Sequence, residues 1–271
     1  PRKVQRAAMR FVPYQRRWLS DVSRYKLLVK ARRIGGSAVG AFSMACKATG
    51  YNLFTGQLEP HRGANVHIIS ASRQQARDML KRALEHIRMM EALPDDIDQA
   101  VGLARKHKLP ITPEVLLRLI DELRRVRPNA GYIFVPQKRR GQALRTDGLI
   151  VGDPTMDCVR LANEAEVRAY ASNPRTIRGG EGHVFFDEFA ITPFDRGVWE
   201  AGAFLARPTL AFPHGFTVEI MSTPNGDDNM FFEFAMTTAG RKFSRHRIDV
   251  YQAVDQGFPL DPEWPSDPAE W

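Results

Sequence analysis

Three short segments of this 271-residue chain carry the residue types that phosphate chemistry needs. The first, Lys30-Ala31-Arg32-Arg33-Ile34-Gly35-Gly36-Ser37, joins a strand pattern to a helical one. Such a loop offers backbone N–H groups and a helix N-terminus, which together bind phosphate. Against G-x-x-x-x-G-K-[ST] it agrees only at Gly35 and Ser37, with Lys30 where the first Gly belongs and Gly36 where the Lys belongs. An ordinary βα turn flanked by cations fits the segment equally. The second, His183-Val-Phe-Phe-Asp-Glu188, is an apolar strand that delivers Asp187 and Glu188 to its C-terminal end, where α/β sheets bind ligands. An Asp there can hold Mg²⁺ while the next Glu orients or deprotonates a water, as nucleotide hydrolysis requires. A buried strand with an acidic exit is the plain alternative. In the third, the run Thr217–Met221 ends on Ser222-Thr223-Pro224, whose hydroxyls can sense a γ-phosphate. Phe11, Tyr14 and Trp18, with Gln15 among them, suit adenine, offering a ring to stack on and an amide for the base edge; an aromatic packing face is the other reading.

The elements that must hold these residues follow from periodicity. Tyr25–Lys30 and Asn65–Ser70 read as strands, each followed by a helical pattern, 38–49 and 73–90. Strand, loop, helix, strand, helix is the grammar of a parallel α/β sheet. Thr112-Pro113-Glu114 is a helix start. After it Val115, Leu116, Leu119, Ile120 and Leu123 form an apolar face, and Arg118, Arg124, Arg125 and Arg127 a basic one, so 94–128 reads as a helical insertion. Residues 137–156, with Lys138, Arg139 and Arg140, read as a mobile loop. A hairpin is expected at 158–162 and 166–169, strands at 183–186, 217–221 and 243–250, and a helix at 229–237. The expected fold is three-layer α/β with a mostly parallel central sheet and a helical insertion.

Composition narrows the function classes. A net charge of +8 suggests a polyanionic partner, and 43% hydrophobic with 26% charged residues is globular composition. Two cysteines without metal-ligand spacing, and no H-E-x-x-H pair, argue against a disulfide scaffold or a zinc site and for a reducing cytoplasm. No apolar stretch approaches the roughly 18 residues of a membrane span, so no membrane partner is expected. The chain opens on Pro1 without a signal-peptide pattern, and we expect a piece of a longer protein.

The order of these motifs resembles the ATPase domain of large terminase subunits, the DNA-packaging motors of tailed bacteriophages. The resemblance runs from about Tyr14 to Val250. It is carried by Tyr14-Gln15, the 31–37 loop, Asn173-Pro-Arg-Thr-Ile-Arg-Gly179, Val184-Phe-Phe-Asp-Glu-Phe-Ala190 and Met221-Ser-Thr-Pro-Asn-Gly226. Terminases often carry a deviant Walker A loop, R-x-x-G-x-[ST], which Arg32, Gly35 and Ser37 fit. Gly36 departs from the Lys that many terminases keep, which leaves open whether Lys30, Arg32 or Arg33 meets phosphate.

The resemblance implies a P-loop-type (ASCE-like) nucleotide hydrolase using ATP and Mg²⁺. Tyr14 and Gln15 would bind adenine; Arg32, Arg33, Gly35, Gly36 and Ser37 would bind phosphate; Ser37 and Asp187 would hold Mg²⁺; and Glu188 would be the Walker B base. Arg178, with Arg175 second, would complete a neighbouring subunit's site as a trans arginine. Ser222 and Thr223 would couple hydrolysis to movement, and Lys138, Arg139 and Arg140 would track DNA. The implied partners are double-stranded DNA, a portal, a small terminase subunit and further copies in a ring, in the cytoplasm of an infected bacterium. Residues 1–256 would form the ATPase domain and 257–271 an edge or linker toward a nuclease domain outside this chain. No nuclease activity is expected, since Asp255, Asp261, Glu263, Asp267 and Glu270 are scattered. Two rivals stay open: another DNA translocase or helicase-like ATPase, and a binding module whose degenerate loop does not hydrolyse ATP.

Overall fold

The computed structural model describes residues 11–53, 57–91, 94–126 and 149–259. The basic run Lys138-Arg139-Arg140, most of the expected 137–156 loop, and the tail from residue 260 lie outside them. Among the described residues the order is α1 (Pro13–Ser20), β1 (Tyr25–Lys30), α2 (Gly36–Thr49), β2 (Tyr51–Asn52), β3 (Gln57–Leu58), β4 (Val66–Ser70), α3 (Arg73–Glu91), α4 (Pro94–Lys106) and α5 (Pro113–Val126). Then come β5 (Cys158–Arg160), β6 (Glu166–Ala171), β7 (His183–Asp187), α6 (Asp195–Leu205), β8 (Val218–Ser222), α7 (Met230–Met236), β9 (Ser244–Ile248) and α8 (Val250–Asp255). Seven strands form one sheet in the order β5-β6-β4-β7-β8-β1-β9. β1 runs parallel to β8 and β9, β7 runs parallel to β8, and β5–β6 is antiparallel. This is the expected α/β class.

The chain divides into two compact units. The described part of one lies within Ala41–Ile68 and Arg77–Ala169, that of the other within Phe11–Gly40, Ile69–Ala76 and Tyr170–Trp271. In the first, the expected helical insertion is the pair α4 and α5. Ala100, Val101 and Ala104 of α4 and Leu116, Leu119 and Ile120 of α5 bury against Met89 of α3. The β5–β6 hairpin is tied down by Arg77, whose Nε lies 2.8 Å from Asp157 Oδ1.

In the second unit β1, β7 and β8 are buried almost throughout, the near-continuous apolar reading of parallel strands covered on both faces. Successive side chains of β7 point to opposite faces. Phe185 packs so closely on Gly40 of α2 that a Cβ there would sit 2.5 Å from its ring, and Phe186 does the same to Gly202 of α6. Two glycines thus bring a helix against each face. The expected strand 243–250 ends at Ile248, because Asp249 caps α8 by accepting from the Gln252 N–H at 2.8 Å while Gln252 reaches back.

Two charged groups interrupt the apolar strands. Lys26 and Glu219 are register partners on β1 and β8, and their side chains pair at 3.1 Å at 2% and 0% exposure. The Lys26 ammonium also donates to the Trp18 carbonyl at 3.0 Å and lies over that indole, fixing α1 against the sheet. Breaking one side of such a pair costs about 3–5 kcal/mol, whereas replacing both with apolar groups is often neutral. Lys26→Met should lower the free energy of urea unfolding by that amount, and Lys26→Met with Glu219→Leu should recover most of it.

Asp21, just after α1, meets His246 Nε2 at 2.7 Å and accepts the Ser23 N–H at 2.8 Å. Burial raises its pKa, but hydrogen bonds from Ser244, His246 and Ser23 outweigh that and hold it below the carboxylate range. A depressed folded pKa stabilises above the unfolded value of about 3.9, and the gain is lost as pH falls through the folded value. Asp21→Asn should cost about 2 kcal/mol at pH 7. Thermal melting at a series of pH values should show that deficit shrinking below about pH 4.

Candidate functional site

Parallel neighbours end on one edge of the sheet, so β7, β8 and β1 bring Asp187-Glu188, Ser222-Thr223 and Lys30 together. Glu188 is left-handed, with φ 52°, and opens the 3-10 turn Phe189–Ile191, whose Phe189 and Ala190 are buried. The kink turns its carboxylate toward the other two strand ends. Lys30 Nζ lies 2.5 Å from Glu188 Oε1, with Lys30 5% and Glu188 21% exposed. Oε2 accepts the Thr223 N–H at 3.0 Å and lies 3.4 Å from Ser222 Oγ. Ser222 Oγ in turn accepts the Ala190 N–H at 3.0 Å. Both carboxylate oxygens are therefore held. The neighbouring Asp187 is buried, and its Oδ2 accepts from Ser70 Oγ at 3.1 Å. Thr223 Oγ1 is buried with no hydrogen-bond partner among the described residues.

The loop after β1 is shaped by Arg33, with φ 57°, and Gly35, with φ 77°, before α2 begins at Gly36. Buried Ile34 anchors it, and the Tyr14 hydroxyl donates to the Ile34 carbonyl. A Cβ on Gly36 would sit 2.5 Å from Lys30 Cδ, so the Lys30 stem runs where a side chain at 36 would begin. The cation that the usual pattern sets at 36 arrives in space from position 30. Arg32 and Arg33 are exposed, and Ser37 is half-buried in the first turn of α2.

Of the aromatic cluster before β1, Tyr14 and Trp18 pack inward and Phe11 is half-buried. Tyr14 is 4% and Trp18 0% exposed, and burial pushes the Tyr14 phenol pKa up by more than its hydrogen bond with Gln15 lowers it. Gln15 accepts the Val12 N–H at 3.1 Å, closing the start of α1, while its Nε2 lies 3.4 Å from the Gly35 carbonyl. Arg175 and Arg178 are exposed. Their turn is pinned by buried Ile177, by Arg178 Nε donating to the Arg175 carbonyl at 3.1 Å and by Tyr170 donating to the Arg178 carbonyl at 2.6 Å. Sequence reasoning passes over Ser70, although its place at the end of the strand pattern 65–70 is a signal of the same kind as Ser222.

Chemically, the cluster is a fixed carboxylate with a cation, one amide N–H and one hydroxyl around it, beside a loop of backbone N–H groups. Among the described residues no three His, Cys, Asp or Glu side chains group as a metal site. The Ser37 hydroxyl and Asp187 carboxylate are hard oxygen donors, few in number. That set fits Mg²⁺, which keeps several waters and takes phosphate oxygens rather than an all-protein cage.

No protein-family model matches the chain. It is similar to the probable terminase large subunit gp28 of Escherichia phage Mu, 25% identical over 253 residues, which is 91% of this chain and 35% of that protein. The chain thus spans about a third of the length of that relative. Its fold is that of the ATPase domain of the Thermus phage P74-26 large terminase, solved in a mutant form, with TM-score 0.50 and 16% identity over 91% of this chain and 84% of that one. The HK97 bacteriophage large terminase gives TM-score 0.51 and 12% identity over 88% of this chain and 39% of that one. The resemblance is to a terminase large subunit in sequence and to a large-terminase ATPase domain in fold. Among the described residues no helix is long and apolar enough to cross a membrane.

The Lys30–Glu188 pair is open to a double-mutant cycle. Lys30→Met and Glu188→Gln should each destabilise, and the double variant should show a coupling of about 1–3 kcal/mol in chemical denaturation. Additive losses would show that the two side chains do not interact.

Proposed function

We propose that this chain is the ATP-hydrolysing motor domain of a viral DNA-packaging terminase, coupling hydrolysis to movement of double-stranded DNA into a preformed shell. The observation that carries the reading is the Glu188 carboxylate, held between Lys30 and the end of β8 one residue beyond Asp187. Its similarity to gp28 and the shared ATPase-domain fold support the same reading.

In this mechanism Gly35, Gly36 and Ser37 cradle the phosphates through backbone N–H groups and the N-terminus of α2. Lys30 sits beside Glu188 and supplies the positive charge within the site, with Arg32 and Arg33 on the exposed side of the loop. Ser37 and Asp187 would hold Mg²⁺, which would supply positive charge to the phosphates during transfer. Glu188 accepts a proton from the attacking water, and the fixed donors around it set the direction of its free lone pair. Loss of the γ-phosphate changes what Glu188 bonds, and Ser222 and Thr223 carry that change into β8. Exposed Arg178 completes a neighbouring copy's site in a ring, with Arg175 as second candidate. Lys138, Arg139 and Arg140 follow the DNA backbone. A portal and a small terminase subunit are the partners of the assembled motor, acting in the host cytoplasm.

Steady-state ATP hydrolysis across a protein concentration series, with and without duplex DNA, tests the reading. Turnover per subunit should rise with concentration and with DNA, and Arg178→Ala should remove the rise with concentration. Glu188→Gln should lower kcat by about 10²-fold or more while ATP still binds. Unchanged turnover in that variant would remove Glu188 as the base.

A further inference from the structure

Gly35 has two close neighbours besides its own loop. A Cβ built on it would lie 2.8 Å from Gln15 Nε2 and 2.8 Å from Phe258 Cε2. A side chain from the start of the second unit and one from its far end thus converge on the glycine that shapes the phosphate loop. The convergence is built, since several contacts hold Phe258 in place. Helix α8 ends in a left-handed Gly257, φ 86°, whose N–H donates to the Val254 carbonyl at 2.8 Å. The Phe258 N–H then donates to the Ala253 carbonyl at 2.9 Å, and Ala253 is itself fully buried. Arg17 on α1 donates to the Gln256 side chain at 3.1 Å, joining the helix that carries Gln15 to the turn that carries Phe258.

Two of the three rings offered by the sequence for stacking are spoken for, and the third, Phe11, is half-buried and lies before α1. Tyr14 and Trp18 are buried, the first bonded to Ile34 and the second packed under Lys26. Phe258 is only half-buried, and it lies at the same glycine as the amide of Gln15. Gln15 is buried and bonded to Val12 and Gly35, so what this corner presents at the edge of a loop that takes phosphate is the half-buried ring, a π-face for a purine base.

We propose that Phe258 is the aromatic wall of the nucleotide-base pocket, stacking on the adenine ring. This rests on the ATP-hydrolysing reading of the same loop and deepens it by naming the residue that recognises the base. Stacking adds affinity that is the same in the ground state and in the transition state, so its loss appears in KM and not in kcat.

The test uses the full chain with Phe258→Ala, Phe258→Leu and Phe258→Trp. Removing one base-stacking ring should raise KM for ATP and Kd for ADP about tenfold, with kcat kept at saturation. Phe258→Leu, which keeps an apolar filler, should restore thermal stability lost in Phe258→Ala yet still show the raised KM. Phe258→Trp should bind as the parent does, and its fluorescence should change saturably with ADP but not with inorganic tripolyphosphate, which has phosphates and no base. Parental KM in Phe258→Leu, or equal weakening of ATP and tripolyphosphate in Phe258→Ala, would overturn the assignment while leaving the hydrolase reading intact. A parent chain that binds no ATP at all would overturn both.

Discussion

A carboxylate as enclosed as Glu188 survives only where its oxygens meet donors, because an uncompensated charge removed from water costs several kcal/mol. Here the donors come from strands that are not its neighbours in sequence. β8 lies between β7 and β1, so Lys30 must reach Glu188 across two strand spacings, about 10 Å. A Lys and a Glu together, with the contact between them, span that. The strand between them contributes the Thr223 N–H at its own end, which fills the remaining oxygen. The pairing therefore ties together the order of the three strands and the left-handed kink at Glu188.

The same reach explains the loop's departure from the usual phosphate-binding pattern. A lysine approaching from β1 needs a channel past the start of α2, and Gly36 leaves it one. Position-by-position comparison counts a missing lysine and an extra one. In space the cation and the space for it have exchanged places along the chain. Arg32 fits the pattern R-x-x-G-x-[ST], yet its side chain and that of Arg33 are exposed, where water weakens any single charge.

Much of this framework is legible in the amino-acid order, and the reasons for what is not are specific. β1 and β7 show themselves because short apolar runs end abruptly on charged residues. The helix α6 is hidden by Gly197 and Gly202, poor helix formers, and Gly202 is there because Phe186 leaves no space for a side chain. The early end of β9 is written in Asp249 and Gln252, a capping pair that apolar alternation masks. Tyr14 and Trp18 next to Gln15 read equally well as a base platform or a packing face, and only burial separates the two. Phe258 carries no local signal at all, since its relation to Gly35 exists only once the chain has folded back.

The buried pair of Lys26 and Glu219 has a consequence for how the chain finds its fold. β1 and β8 are both nearly uniform apolar ribbons, and sliding one along the other by two residues would keep every side chain on its original face. Hydrophobic burial alone scarcely distinguishes the slipped sheet from the true one. In the slipped sheet the ammonium and the carboxylate would lose each other in a place without water, and Lys30 would be displaced along β8 by about 7 Å. An ion pair at the opposite end of the strands thus acts as a proofreading mark, rejecting the misaligned arrangements in which the groups around Glu188 could never assemble.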